Sequence, residues 1–351
     1  VIPELTYEQF LDFHRKYYHP SNSYIYLYGD MDMEEKLDWL DKEYLSKFDF
    51  VSVDSEIKYQ DPFDKIVEKE IPYSIASDES EEDNTYLSYN KVIGTSLDKE
   101  LYLAFQILDY ALLSAPGAPL KKALTDAGIG KDIMGSYDNG IYQPIFSIVS
   151  KNANQEQKNA FIQMIEDVLR ECVDRGIDKK ALEAGINYHE FRYREADFGN
   201  YPKGLMYGLQ MMDSWLYDDE KPFIHIEALD TFEFLKKQIG TGYYEELIHG
   251  AIVIVKPEKG RTAQMDRELE EKLQAYKNSL SAGEQEVLVE RTKALEAYQS
   301  APDDEEDLAK IPILKREDIS RDIEPIINEE MNISGIPVVF HEIETNGIGY
   351  V

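Results

Sequence analysis

The stretch LTYEQFLDFHRKYYHPSNSYIYLYGDMD, residues 5–32, joins a helix pattern directly to a strand pattern. Thr6 followed three residues later by Gln9 is the side-chain pair of a capping box, which marks a helix start. Aromatic and apolar residues then recur at helical spacing until Pro20, and the residue before a proline is disfavoured in the α conformation. Beyond a Ser-Asn turn, Tyr24–Tyr28 contains only aromatic, β-branched and leucine residues, which is typical of a largely buried strand. We therefore predict a helix, a turn and a strand in succession.

The same mixture of helix and strand patterns continues along the chain. A second helix is predicted after the first strand, and the alternating segments IVEKEIPYSIA and NTYLSYNKVIG predict further strands. A helix with one apolar face over residues 101–112 ends at Ser-Ala-Pro-Gly. The Asn139-Gly140 pair predicts a hairpin turn between two strands, and two long helices follow. The predicted fold class is α+β, with a mostly antiparallel sheet.

Length and charge limit the classes of function. The chain has 351 residues, which is enough for two or more domains. Its 69 acidic and 37 basic residues give a formal charge of −32, which disfavours nucleic-acid binding because phosphates require a basic surface. No apolar run is long enough to span a membrane. The acidic runs at 77–83 and 303–307 are interpreted as solvated loops, with a negative surface that attracts basic peptides as the alternative.

The chain contains one cysteine, Cys172, within a helical run. A single cysteine forms no intrachain disulfide, and this favours a reducing compartment. Free cysteines usually behave as small buried hydrophobic residues, so we interpret Cys172 as part of a core rather than as a nucleophile.

The search for chemistry in the sequence is mostly negative. None of the six histidines has the i, i+4 histidine partner and adjacent glutamate of a zinc-binding helix. His189 and Glu190 begin such a motif, but Tyr193 stands where the second histidine is required. His14 and His19 straddle a helix end, and a two-ligand metal site there is geometrically allowed but disfavoured. The sequence therefore predicts no catalytic, cofactor-binding or metal-binding residues.

Two further stretches resemble a known family, together with the opening one. SAPGAPLKKAL at 114–124 and GINYHEFRYREADFGNYPKGLMYG at 185–208 resemble segments of the insulinase-like (pitrilysin) zinc metallopeptidases, specifically the presequence-protease branch. The resemblance implies sheet-and-helix domains of the inverted-zincin type. In that family the zinc motif H-x-x-E-H lies upstream of the segment that residues 5–32 resemble, and the motif does not occur in these 351 residues. The resemblance thus implies an interior portion of a zinc peptidase, without the zinc ligands.

The resemblance also implies how the chain divides. Residues 1–54 correspond to the C-terminal end of the catalytic domain, 55–217 to a second, non-catalytic α+β domain, 218–330 to a peptidase-associated linker, and 331–351 to the first strand of a third domain. Within the linker, apolar residues at spacings of three and four predict a helical hairpin at about 261–299 with a narrow apolar seam. The connection at Ile248–His249 is shorter than is usual in the family, either because the loop is short or because residues are absent.

Two hypotheses of function follow. The resemblance implies the central portion of a zinc-dependent metalloendopeptidase that degrades unfolded oligopeptides, basic ones included, in an enclosed chamber. This chain would supply wall, hinge and enclosure, while the full-length parent would bind zinc elsewhere, in a bacterial cytoplasm or an organelle matrix. Its partners would be the peptide substrates and the remaining domains of the same parent chain, with no nucleic acid and no membrane. The alternative is a non-catalytic scaffold or interaction relative. On both hypotheses this chain alone binds no cofactor and is inactive.

Overall fold

The computed structural model describes residues 5–63, 67–76, 78–248, 251–259, 261–302, 308, 328–333 and 336–341. The helices are α1 (Tyr7–Tyr17), α2 (Met33–Glu43), α3 (Lys99–Asp109), α4 (Pro119–Asp126), α5 (Lys158–Arg175), α6 (Lys179–Glu195), α7 (Lys203–Trp215), α8 (Leu229–Lys237), α9 (Tyr243–Glu246), α10 (Arg261–Ser279) and α11 (Ala282–Ser300). The strands are β1 (Glu70–Ile75), β2 (Thr85–Val92), β3 (Asp132–Asp138), β4 (Ile145–Ala153), β5 (Ala251–Lys259), β6 (Asn328–Ile333) and β7 (Ile336–His341). The mixture confirms the predicted α+β fold class.

The chain forms two compact units. The first contains Val1–Ile71 and Glu82–Lys256, and the second contains Pro72–Glu81 and Pro257–Val351. Within the described residues, no helix combines the length and apolar character needed to cross a lipid bilayer. The division at residues 54, 217 and 330 that the sequence predicts stays a prediction.

An antiparallel sheet forms the centre of the first unit. Its strand order is β1-β5-β2-β4-β3, and β2 pairs antiparallel with both β4 and β5. Side chains alternate along β2, so that Leu87 and Tyr89 are buried while their neighbours are partly exposed. This is the period of two that the sequence predicts for a strand with one buried face.

Helices cover the buried face of the sheet. α3 supplies Phe105, Ile107 and Leu108 to a core that also takes side chains from α4, α5, α6 and α8. Cys172 on α5 belongs to this core, which confirms its interpretation as a small buried residue. α3 continues into a π-helical turn at Tyr110–Ser114, which the sequence pattern does not predict. The break that follows at Ala115–Ala118 confirms the helix end predicted from proline and glycine.

The predicted Asn-Gly hairpin is correct in its strands and wrong in its turn. β3 and β4 pair antiparallel, with Asp138 opposite Ile145. The connection between them is therefore residues 139–144 rather than the two residues of a tight turn. The wider loop places Asn139 beside the cavity described below.

The first helix of the opening stretch is confirmed, and the strand after it is wrong. Thr6 caps α1 in a reciprocal capping box with Gln9, and α1 ends at Tyr17. Tyr24–Tyr28 is extended but belongs to no strand, and Tyr28 is 51% exposed. A strand requires hydrogen bonds to a neighbouring chain segment. This segment instead lays its aromatic rings on α7, where Gly204 and Gly208 leave room for Tyr28 and Tyr26.

The second unit contains α10, α11 and an antiparallel pair of strands. Gln285 near the start of α11 donates to the carbonyl of Lys277 at the end of α10, at 3.0 Å, and Ser281 and Glu284 form the predicted capping box. The two predicted linker helices are thus present. The predicted apolar seam is not observed where side chains are described, since Leu273 is 58% exposed and Leu295 is 54% exposed. β6 pairs with β7, with Ile333 opposite Ile336. His249 and residues 303–307 and 342–351 lie outside the described residues.

Candidate functional site

A cavity of about 510 Å³ lies between α3, α6 and α7 in the first unit. We call it the α3–α7 cavity. Its polar lining includes Tyr102 and Gln106 from α3, His189 from α6, Asp213 from α7, and His225 from the segment before α8. Apolar side chains from the same elements, among them Leu103, Met206 and Phe232, complete the wall. A concave, mostly apolar space with a few converging polar groups is the usual form of a ligand site.

Tyr102 connects the two most unusual polar groups of the cavity. Its hydroxyl donates to Asp213 Oδ2 at 2.7 Å. Its ring stacks on the imidazole of His225, with ring centroids 3.8 Å apart and planes 24° from parallel. The carboxylate and the imidazole therefore lie at the hydroxyl and at the face of one aromatic ring.

His225 is 3% exposed, and its Nε2 has no hydrogen-bond partner within the described part of the chain. Burial lowers the pKa of His225 to about 4, and a hydrogen bond to the Ser96 backbone opposes that shift. The imidazole is neutral near pH 7 for this reason. Because the ring donates to Ser96 and Nε2 has no partner, the donor is Nδ1–H, which leaves Nε2 as a hydrogen-bond acceptor.

Asp213 is the second unusual group. Burial raises the pKa of Asp213 to about 6, the Tyr102 hydroxyl opposes the shift, and the charge of Asp138 adds to it. At neutral pH the group is a carboxylate with weak solvation. Side chains with strongly shifted pKa values in a cleft are candidates for function, although structural networks also produce them.

The segment that carries His225 is held by two side chains of the neighbouring helices. Tyr193 on α6 donates to the carbonyl of Ile226 at 2.5 Å and accepts from the backbone N–H of Ala228 at 3.3 Å. Gln210 on α7 donates to the carbonyl of His225 at 3.2 Å. Tyr193 is the residue that replaces the second histidine of an H-E-x-x-H pattern, and its role is to position this segment.

The residues that begin a zinc motif in the sequence point apart. His189 Nε2 lies 3.2 Å from the carbonyl of Gln106, and burial lowers the pKa of His189 to about 4. Glu190 instead forms ion pairs with Arg194 at 2.8 Å and Lys236 at 2.7 Å. Side chains at adjacent helix positions do not face each other, so the pair does not converge on one ion.

The other histidine pair of the sequence analysis is also occupied elsewhere. His14 stacks on Tyr18, and His19 Nδ1 accepts from the backbone N–H of Ser21 at 3.2 Å. Within the described ranges, no group of three or more His, Cys, Asp or Glu side chains could hold a metal ion. The described residues therefore do not fit a zinc site. That the whole chain lacks catalytic and metal residues stays a prediction.

Sequence reasoning did not find the α3–α7 cavity. Tyr102, Asp213 and His225 come from different elements, more than a hundred residues apart along the chain in the case of Tyr102 and Asp213. None of them stands in a recognisable local motif, and the spacing of residues on one helix cannot report a site built from several.

Comparison with known proteins gives the family. The description "Peptidase M16 inactive domain" matches residues 4–188, and the description of a region associated with subfamily C of the M16 peptidases matches residues 255–351. Protein HypA of Clostridium perfringens is 44% identical over 100% of this chain and 37% of its own length. Presequence protease 1 of Arabidopsis thaliana, chloroplastic/mitochondrial, is 31% identical over 99% of this chain and 34% of its own length. The chain thus spans about a third of the length of these curated relatives.

A solved structure supports the same fold. The peptidase M16 inactive domain from Pseudomonas fluorescens has a TM-score of 0.51 and 15% identity, over 73% of this chain and 58% of that one. At this identity the likeness concerns the fold alone. Because the inactive-domain description covers more than half of the 351 residues, the chain belongs to the M16 peptidase family, the pitrilysin-like family that its sequence motifs indicate.

Proposed function

We propose that this chain is the central portion of a zinc-dependent metalloendopeptidase that degrades unfolded oligopeptides in an enclosed chamber. In this proposal residues 1–54 close the catalytic domain, residues 55–217 form a non-catalytic domain, and residues 218–330 form a linker. The chain supplies wall, hinge and enclosure, and the zinc is held by another part of the parent protein. Family membership and the match to an inactive domain support this proposal.

The observation that carries the proposal is the exposed apolar surface of the first fifty residues. α1 and α2 bury none of their side chains, although α1 has a complete capping box. Phe10 is 61% exposed and Trp39 is 59% exposed. Helices of three turns depend on packing of an apolar face for most of their stability. Fully burying one such side chain contributes about 1.5–3 kcal/mol, so this surface fits a contact with the rest of a larger protein.

The test uses the natural protein that contains these residues. We expect its sequence to carry H-x-x-E-H ahead of Val1, and the purified protein to hydrolyse a quenched fluorescent unfolded peptide. Chelation and a Glu→Gln change within that motif should both abolish hydrolysis, and the 351-residue chain alone should show none. A natural protein without the motif, zinc or hydrolysis would contradict the proposal and favour the scaffold alternative.

A further inference from the structure

We propose that the α3–α7 cavity binds the cationic side chain of an arginine or lysine residue in a peptide. The inference rests on the proposed function in one respect, namely that the bearer of the cation is a peptide. The binding itself depends only on residues of the first unit.

The first argument is the number of acceptors that lack donors. Nε2 of His225 is buried and accepts no hydrogen bond within the described part of the chain. Tyr102 occupies Oδ2 of Asp213, while no described residue donates to Oδ1. A buried acceptor without a donor carries the full cost of its lost hydration. Guanidinium and ammonium groups carry several N–H donors and no acceptor, so one such group can satisfy both atoms.

The second argument is the sign of the charge inside the cavity. Asp213 is ionised at neutral pH, whereas the two buried histidines are neutral. Arg192 is the basic side chain of the lining, and it donates to the Tyr188 hydroxyl at 3.1 Å and lies 5.6 Å from the centre of that ring. Asp197 at the rim adds a second carboxylate. The lining therefore favours a cation over an anion.

The third argument is the shape of the wall. Leu103, Met206 and Phe198 line the same cavity as the acceptors. Arginine and lysine place three or four methylene groups before the charge, and these stems pack on apolar surface while the charged head finds polar partners. A small inorganic cation would leave this apolar wall without a partner.

The free energy of the empty site agrees with these arguments. A carboxylate whose pKa is raised by burial destabilises the folded chain at neutral pH. Removing that cost would require only an amide in place of the carboxylate. A bound cation would offset the same cost through a charge-assisted hydrogen bond.

The test measures binding of capped amino acids to the 351-residue chain by calorimetry or NMR. The probes are N-acetyl-arginine amide and N-acetyl-lysine amide, with N-acetyl-citrulline amide as the neutral isostere of arginine. We expect a dissociation constant on the order of 1 mM for at least one cationic probe, at the efficiency typical of small ligands. Citrulline should bind at least about tenfold more weakly, which corresponds to the loss of one charge-assisted contact.

Two variants make the test specific. Asp213→Asn should lose the same factor of about ten while remaining folded, because the amide keeps an acceptor for Tyr102. Asp174→Asn changes an exposed aspartate on α5, which does not line the cavity, and should bind as the unmodified chain does. Unfolding by urea on the same samples reports whether each variant is folded.

Equal binding of arginine and citrulline probes, unchanged binding by Asp213→Asn, or no binding at about 10 mM probe would each overturn the inference. These outcomes leave the proposed function intact if the natural protein hydrolyses peptides with zinc. Conversely, specific arginine or lysine binding by a chain whose natural protein has no hydrolytic activity would support the cavity assignment and contradict only the peptidase proposal.

Discussion

The packing of the opening stretch on α7 makes a prediction about two glycines. A Cβ atom built on Gly208 would lie 2.9 Å from Cδ1 and Cε1 of Tyr26, and one built on Gly204 would lie 2.3 Å from Cδ1 of Tyr28. At such short distances one of the two groups must move. We therefore consider Gly208→Ala, at the buried position, both alone and together with removal of the Tyr26 ring.

The expected magnitude combines two effects of opposite sign. Alanine in place of glycine inside a helix stabilises by about 1 kcal/mol. Forcing a methyl group into a filled contact costs about 1–3 kcal/mol. Gly208→Ala should therefore lower the free energy of unfolding by about 1 kcal/mol. In a Tyr26→Ala background the methyl group meets no ring, and the same change should stabilise by about 1 kcal/mol.

The assay is urea unfolding followed by tryptophan fluorescence. The chain has two tryptophans, and Trp215 at the end of α7 lies against Tyr24, with ring centroids 4.7 Å apart. Replacing the exposed Trp39 by phenylalanine leaves Trp215 as the reporter. Tyr7→Ala, which removes an exposed ring from α1, is the matched control background and should leave the effect of Gly208→Ala unchanged. An equal effect of Gly208→Ala in the Tyr26→Ala and Tyr7→Ala backgrounds would refute the contact.

Three other predictions concern single groups. Asp213→Asn should stabilise the chain by roughly 1–2 kcal/mol at about pH 7.5, because a raised carboxyl pKa favours folding only below the ordinary value and that contribution is lost as pH rises through about 6; urea unfolding at several pH values measures this. His189 and His225 act in the opposite direction, since their pKa values of about 4 make the chain less stable as pH falls from about 6.5 to 4, and glutamine at either position should flatten the acid limb of the stability curve. Ser281→Ala should lower the protection of α11 amides against hydrogen exchange by about 1 kcal/mol, with no change in β2 amides.

Local signals in the sequence are sufficient where the structure is local. The capping box of α1, the strand alternation of β2 and the break after the π-helical turn each involve residues within a few positions of one another, and the sequence predicts each of them. Such features depend on backbone hydrogen bonds and side chains that the same short segment provides.

Predictions fail where the outcome depends on a distant partner. Tyr24–Tyr28 has the composition of a buried strand, yet its partner is the glycine face of α7 rather than another strand. The seam of the linker helices is inferred from spacing, but spacing cannot show whether a second surface covers Leu273 and Leu295. The α3–α7 cavity has the same character, because Tyr102 meets Asp213 only after the fold brings α3 and α7 together.

The net charge and the cavity would attract basic peptides over different distances, and salt separates the two contributions. A charge of −32 spread over the chain acts through solvent, where interactions between exposed charges are screened beyond about 8 Å at physiological ionic strength. The contact of a bound cation with Asp213 would lie in a space largely closed to solvent, where screening is weaker. Raising salt should therefore reduce a general preference for basic peptides while leaving most of the difference between arginine and citrulline. If both preferences decline in parallel, the attraction belongs to the surface, and Asp213 contributes no more than any other carboxylate.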